Sequence, residues 1–295
     1  MLKFGIITDE ISQDFEHSLK VIDELGVEYI ELQSLWDKEI TELDDEELKE
    51  ARRLIKKWKK RVGSISPHLF FRVPLRAEND YKSYWGSFDE HFELFKNAIK
   101  AAKELGTNLV RIFGFESEIW YGKGVQKSRS AGGEWGNVYD LALQKLEKPL
   151  KLAEREGITL IVETCFLNNF SSASSLRYLI ERSGSDSLRA LWDPCNVQYV
   201  HDNPYPDSYN IIKDYAAHVH IKDGVVDSPN YSFTFCPPGE GGVGSRWPEI
   251  LSALSTDNYQ GVVSMEAEFT PEGGTKEDGL RASFSAAKAM LGSLG

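Results

Sequence analysis

Only three cysteines occur in 295 residues, Cys165, Cys195 and Cys236, an odd number with no CxxC spacing among them. A disulfide framework is therefore not expected, and a reducing cytoplasm is the natural setting. Long apolar runs are missing too. The opening MLKFGIITDEISQDFE turns acidic after a few apolar residues, so neither a signal peptide nor a membrane span is expected. Positive charge is in short supply: 34 Lys and Arg stand against 46 Asp and Glu, a formal net charge of -12. That balance opposes non-specific nucleic-acid binding, which draws its affinity from neutralised phosphates. No GxGxxG follows the first predicted strand, where a dinucleotide-binding sheet would want it. No linker or low-complexity segment interrupts the chain. What remains is 41% hydrophobic, with fifteen Phe, twelve Tyr and seven Trp. That content suits one packed domain over residues 1–295.

Short β-branched runs alternate with segments of helical period. Predicted strands cover 2–8, 27–32, 61–66, 108–114, 158–163, 188–193, 217–222 and 261–266. Between them, apolar residues recur at helical spacing: Phe15, Leu19, Ile22 and Leu25; then Leu48, Ala51, Ile55 and Trp58; then Phe88, Phe92, Phe95, Ile99 and Ala102. Asp44 with Glu47 resembles a capping box, and Gly106 is placed to end the third helix. Later helices are expected over 138–156, 172–182, 206–214, 247–254 and 276–291. Eight β-then-α repeats predict a (β/α)8 TIM barrel, an α/β fold with parallel strands. Two connections, about 114–135 and about 223–245, are long for a compact domain. Both follow a strand, and so fall on the rim where barrel enzymes place their sites.

Four consecutive strands end in a potential metal ligand: Glu163, Asp193, His220 and Glu266. Neighbouring strands lie about 4.8 Å apart, so ligands at four adjacent tips can converge on one point. Two Glu, one Asp and one His suit Mn²⁺, Mg²⁺, Co²⁺ or Zn²⁺, with room for substrate oxygens. Each residue also has an ordinary use. Asp193 followed by Pro194 fits a helix N-cap, and a lone strand histidine is commonly a core residue. His218 lies on the same strand face as His220, and spacing alone does not choose between them.

The segments IVETC, LWDPCN, HVHIKD, PPGEGGV and SMEAE occur in this order, after GIITDEISQD and the strand ending YIEL. Together they resemble the xylose isomerase-like barrel superfamily of sugar isomerases and epimerases, over nearly the whole chain. The resemblance implies Glu163, Asp193, His220 and Glu266 as metal ligands, with Lys222 and Asp223 following the histidine; the HxKD context favours His220 over His218. One departure stands out. The family often carries Asp-x-x-His after strand six, and this chain has Asp193-Pro194-Cys195-Asn196. Asn196 can hydrogen-bond a hydroxyl but cannot carry a proton as histidine would.

Further substrate-side candidates are His68 at the end of strand three, Glu240 in PPGEGG, Arg246, and Trp120 with Tyr121 in the long loop after strand four. Lys123, Lys127 and Arg129 in that loop could attract a phosphate or simply face solvent, and Arg111 could balance buried acids. The resemblance implies a metal-dependent isomerase or epimerase of a sugar or sugar phosphate working through an enediolate, with Glu163 and Glu266 as the acid/base pair. A dehydratase of a keto-cyclitol or related keto-polyol would share the first step. A barrel that binds sugar or metal without catalysis is the non-enzyme alternative. A multi-zinc endonuclease for abasic DNA wants more histidines than His17, His68, His91, His201, His218 and His220, and none follows His220. The expected partner is thus a small polyol, without nucleic acid or membrane. Barrels of this type commonly pair up, and no sequence feature marks an interface.

Overall fold

Strands that are apolar on both faces must be covered on both, and parallel pairing with helical crossovers does this. The computed structural model describes residues 2–75, 86–117, 135–227, 230 and 232–292. Its barrel strands are β1 (Lys3–Ile7), β2 (Tyr29–Leu32), β3 (Arg61–Ile65), β4 (Leu109–Phe113), β5 (Thr159–Glu163), β6 (Leu188–Trp192), β7 (Ala216–Ile221) and β8 (Val262–Met265). Each pairs in parallel with its chain neighbours, and β8 returns to β1 to close the barrel. These are the eight strands expected from the sequence.

The covering helices are α1 (Phe15–Glu24), α2 (Asp45–Lys57), α3 (Phe88–Leu105), α4 (Trp135–Glu156), α5 (Ala173–Ser183), α6 (Tyr209–Ile212), α7 (Arg246–Thr256) and α8 (Lys276–Gly292). Their ends follow local chemistry. Asp44 accepts the Glu47 amide at 2.9 Å while Glu47 accepts the Asp44 amide at 2.9 Å, a reciprocal cap on α2. Gly106 ends α3 in the left-handed conformation, with φ of 85°. Phe15, Leu19 and Ile22 of α1 are buried against the barrel. Among the described residues, no helix is long and apolar enough to cross a membrane.

Two local expectations need correcting. The stretch after β7 is not a structureless loop: Asp223–Asp227 and Ser232–Cys236 pair as an antiparallel hairpin. The helix expected over 206–214 is interrupted: Pro204–Ser208 is a kinked turn with Tyr205 extended, and it leads into the single turn of α6. A further short helix, Pro194–Gln198, follows β6 directly.

One buried carboxylate organises the rim beside the hairpin. Asp223 Oδ1 accepts the amides of Gly224 (2.9 Å) and Val243 (3.1 Å). Its Oδ2 accepts those of Gly239 (2.9 Å), Gly241 (3.2 Å) and Gly244 (2.9 Å). The glycines are needed because the backbone wraps so closely: a Cβ on Gly241 would sit 2.2 Å from Asp223 Oδ1. The PPGEGGV segment is thus a loop folded around an anion.

Candidate metal centre

Inward-facing positions near the C-terminal ends of the strands are polar and buried: Glu31, Ser64, Ser66, Arg111, Glu163, His218, His220 and Ser264. Buried polar groups need partners, and here they partner one another. Glu163 closes β5, His220 lies in β7, and Asp193 and Glu266 directly follow β6 and β8. One ligand atom from each of these four lies within 4.8 Å of the others, and all four residues are buried.

Asp193 has both uses the sequence allowed. Its Oδ1 caps the short helix, accepting the amides of Cys195 (2.8 Å) and Asn196 (2.9 Å). Its Oδ2 makes no hydrogen bond and faces the Lys222 ammonium at 3.0 Å. His220 is divided in the same way. Nε2 meets Glu31 Oε1 at 3.1 Å, whereas Nδ1 has no hydrogen-bond partner and faces Glu266 Oε2 at 3.2 Å. Two buried atoms without a hydrogen bond, Asp193 Oδ2 and His220 Nδ1, lie in one cluster with the Glu163 and Glu266 carboxylates, an arrangement that fits a divalent cation. Metal–ligand bonds of about 2.0–2.2 Å put opposing donors about 4–4.4 Å apart, close to the observed spacing. Three carboxylates and one imidazole are hard to borderline donors, suited to Mn²⁺, Mg²⁺, Co²⁺ or Zn²⁺.

Two buried cations balance the acids. Arg111 Nη1 lies 3.0 Å from Glu163 Oε2 and 3.8 Å from Glu266 Oε1. Lys222 Nζ lies 2.6 Å from Glu266 Oε2 and 3.7 Å from Glu268 Oε1. Burial pushes the Glu163 carboxyl above its usual range despite Arg111, and burial likewise raises Asp193. Burial opposes ionisation of Glu266 as well, but Lys222, His220 and Arg111 outweigh it and hold that carboxyl well below the usual range. The two glutamates of the cluster are thus driven in opposite directions.

Asn196 Nδ2 donates to Glu163 Oε1 at 3.0 Å, so Glu163 is held at both oxygens, by Asn196 and by Arg111. His68 is half-buried, its Nδ1 2.9 Å from Glu39 Oε1 and its ring stacked on Phe113 at 5.8 Å. The Arg111 guanidinium lies over the same Phe113 ring at 4.7 Å. On the other side, Phe166 stacks on Tyr199 at 4.2 Å, Tyr199 meets Phe233 at 4.0 Å, and Phe233 meets Phe235 at 4.8 Å. Lys222 lies over Phe235 at 5.8 Å. These half-buried rings border the charged centre.

Not every candidate converges. Glu240 is exposed, and Arg246 pairs at 3.1 Å with Glu249 of its own helix. Neither makes a hydrogen bond or ion pair with the four-ligand cluster. Trp120, Tyr121, Lys123, Lys127 and Arg129 lie outside the described residues. Sequence reasoning misses Glu31, the penultimate residue of the YIEL strand. The acid at the tip of an inward-facing strand was the available signal.

A family profile described as xylose isomerase-like TIM barrel matches residues 19–289. No curated protein matches by sequence. Among solved structures, a xylose isomerase-like TIM barrel protein from Mycobacterium smegmatis in complex with magnesium is 17% identical, with TM-score 0.67, covering 95% of this chain and 89% of that one. A probable 3-DHS dehydratase involved in petrobactin synthesis in Bacillus anthracis is 18% identical, with TM-score 0.70 and coverages of 97% and 99%. The 3-keto-D-glucoside 4-epimerase of E. coli is 15% identical, with TM-score 0.70 and coverages of 99% and 100%. At such identities the likeness establishes the shared fold.

Proposed function

The chain belongs to the xylose isomerase-like TIM barrel family, and from that membership we propose that it is a divalent-metal-dependent isomerase or epimerase of a sugar or sugar phosphate. The observation that carries this reading is the convergence of Glu163, Asp193, His220 and Glu266, in which Asp193 Oδ2 and His220 Nδ1 make no hydrogen bond. A divalent ion held by these four would polarise a substrate carbonyl and stabilise the enediolate formed beside it.

The chain's own residues supply the proton chemistry. Glu163 and Glu266 form the acid/base pair: one takes a proton from the carbon beside the carbonyl and the other returns a proton to it. Arg111 and Asn196 fix the Glu163 carboxyl in one orientation. His68, Asn196 and Lys222 offer polar contacts to hydroxyls. The Phe166–Tyr199–Phe233 wall suits the apolar face of a sugar or cyclitol ring. Neighbours of this fold include an epimerase and a dehydratase.

One observation favours dehydration as a second reading. Lys222 places a further proton donor between Glu266 and Glu268, and loss of a β-hydroxyl needs a donor beyond the enolising pair. The test follows deuterium incorporation from D2O into ketoses, ketose phosphates and keto-cyclitols, with Mn²⁺ or with EDTA. Metal-dependent exchange beside a carbonyl supports the proposal, and the product separates isomerisation from dehydration. A metal-loaded protein that exchanges no proton with any of these classes points to a binding protein instead.

A further inference from the structure

Beneath the four-ligand cluster lies a second group, Glu31, His218 and His220, whose potential ligand atoms also lie within 4.8 Å of one another. All three residues are wholly buried. Glu31 extends from β2 into the interior and meets both histidines of β7. Its Oε2 is 2.7 Å from His218 Nε2, and its Oε1 is 3.1 Å from His220 Nε2 and also accepts the Ser66 hydroxyl. His218 Nε2 is in addition 3.0 Å from Ser264 Oγ.

We propose that Glu31 is a positioning residue which fixes the ring and tautomer of His220, so that Nδ1 is the atom His220 presents to the metal ion; this rests on the metal-dependent reading above. An ionised carboxylate only accepts hydrogen bonds. Each imidazole must therefore place a proton on the Nε2 that faces it. For His220 in its neutral form that leaves the lone pair on Nδ1, the atom that makes no hydrogen bond and faces the four-ligand cluster, 3.2 Å from Glu266 Oε2. Outer carboxylates commonly set the tautomer of a metal-binding histidine in this way. The same geometry separates the two histidines that sequence spacing leaves equivalent. His218 holds the second oxygen of Glu31, and His220 alone turns a nitrogen towards the four-ligand cluster.

The test uses the full chain loaded with Zn²⁺ and labelled with 15N in histidine. Long-range 1H–15N NMR reads the His220 tautomer, and calorimetry reads Zn²⁺ affinity and stoichiometry. His218→Gln removes one imidazole from the spectrum and assists assignment. Wild type is expected to bind one ion, with His220 protonated at Nε2 and coordinating through Nδ1. Glu31→Gln turns an amide donor towards one imidazole and is expected to weaken Zn²⁺ binding about 10–100-fold. His218→Gln, which keeps the Glu31–His220 bond, is expected to stay within about threefold of wild type and to retain the His220 tautomer. This second variant keeps the test decisive if Glu31→Gln does not fold. Coordination through Nε2, or two ions per chain with Glu31 and His218 as ligands, overturns the inference. Equal Zn²⁺ affinity in wild type and Glu31→Gln overturns it alone, whereas a wild type that binds no ion overturns the metal-dependent reading as well.

Discussion

At the scale of single residues, chemistry is set by what each buried acid meets. Replacing Glu163 or Glu266 by Gln keeps shape and removes proton transfer. Each change is expected to slow metal-dependent proton exchange by about 10²–10⁴-fold, read by deuterium incorporation. Asn196→Ala should act more gently. It strips Glu163 Oε1 of its donor while leaving Arg111 on Oε2, and an unsatisfied buried acceptor costs about 1–3 kcal/mol. Glu10, not itself a candidate ligand, offers a pH test. It accepts the Glu268 amide at 2.9 Å, and burial pushes its carboxyl up to about 7 against the pull of Lys276, with Glu266 and Glu268 adding to the rise. A carboxyl raised on folding binds its proton more tightly in the native state. Its contribution is therefore intact below about pH 4.5 and lost as pH rises through about 7, a loss of about 3 kcal/mol. In EDTA, Glu10→Gln should match wild type at pH 4.5 and exceed it by up to that amount at pH 8, as urea unfolding at the two pH values will show. The four ligands were legible because each stands at or beside the C-terminal end of a strand. Glu31 was not, because its partners stand 187 and 189 residues away and no local pattern announces them.

At the scale of elements, the rim segment around Asp223 is held by one anion and five amides. Asp223→Asn would turn an amide donor towards the amides of Gly239, Gly241 and Gly244. Hydrogen bonds to a charged group are worth about 1.5–3 kcal/mol each, and these are mutually dependent, so a loss of roughly 3–5 kcal/mol is expected. Amide exchange should show protection falling first at Gly239, Gly241 and Gly244. This region also shows where pattern reading stops. The barrel strands are buried runs between periodic helices, and hydrophobic period finds them. The hairpin strands Asp223–Asp227 and Ser232–Cys236 bury no clean face, with Val225 half exposed, so period carries little signal there. Glycine and proline in 237–244 announce a turn without saying what it folds around. The short helix after β6 is legible in its Asp193-Pro194 start, an N-cap pattern, and Asp193 turns one oxygen to that cap and the other towards the cluster.

At the scale of the whole molecule, the candidate ligands come from β5, β6, β7 and β8, half the staves of the barrel. An ion bound by all four would tie together elements spread over more than a hundred residues of chain, and the unfolded chain could not present them together. Binding should therefore stabilise the entire fold. One site filled at a hundred times its dissociation constant contributes about 2.7 kcal/mol, and for a chain of this size that raises Tm by roughly 4–5 °C. Mn²⁺ is expected to produce such a shift in thermal unfolding, and EDTA to reverse it. Asp193→Asn makes the experiment discriminating. Asparagine is as good an N-cap as aspartate, so the amides of Cys195 and Asn196 keep their acceptor and the metal-free fold should persist. The charge facing Lys222 and the other ligands is gone, and the Mn²⁺-dependent rise in Tm should vanish with it. A variant that still gained the full shift would place the ion elsewhere and remove the four-strand centre from the account.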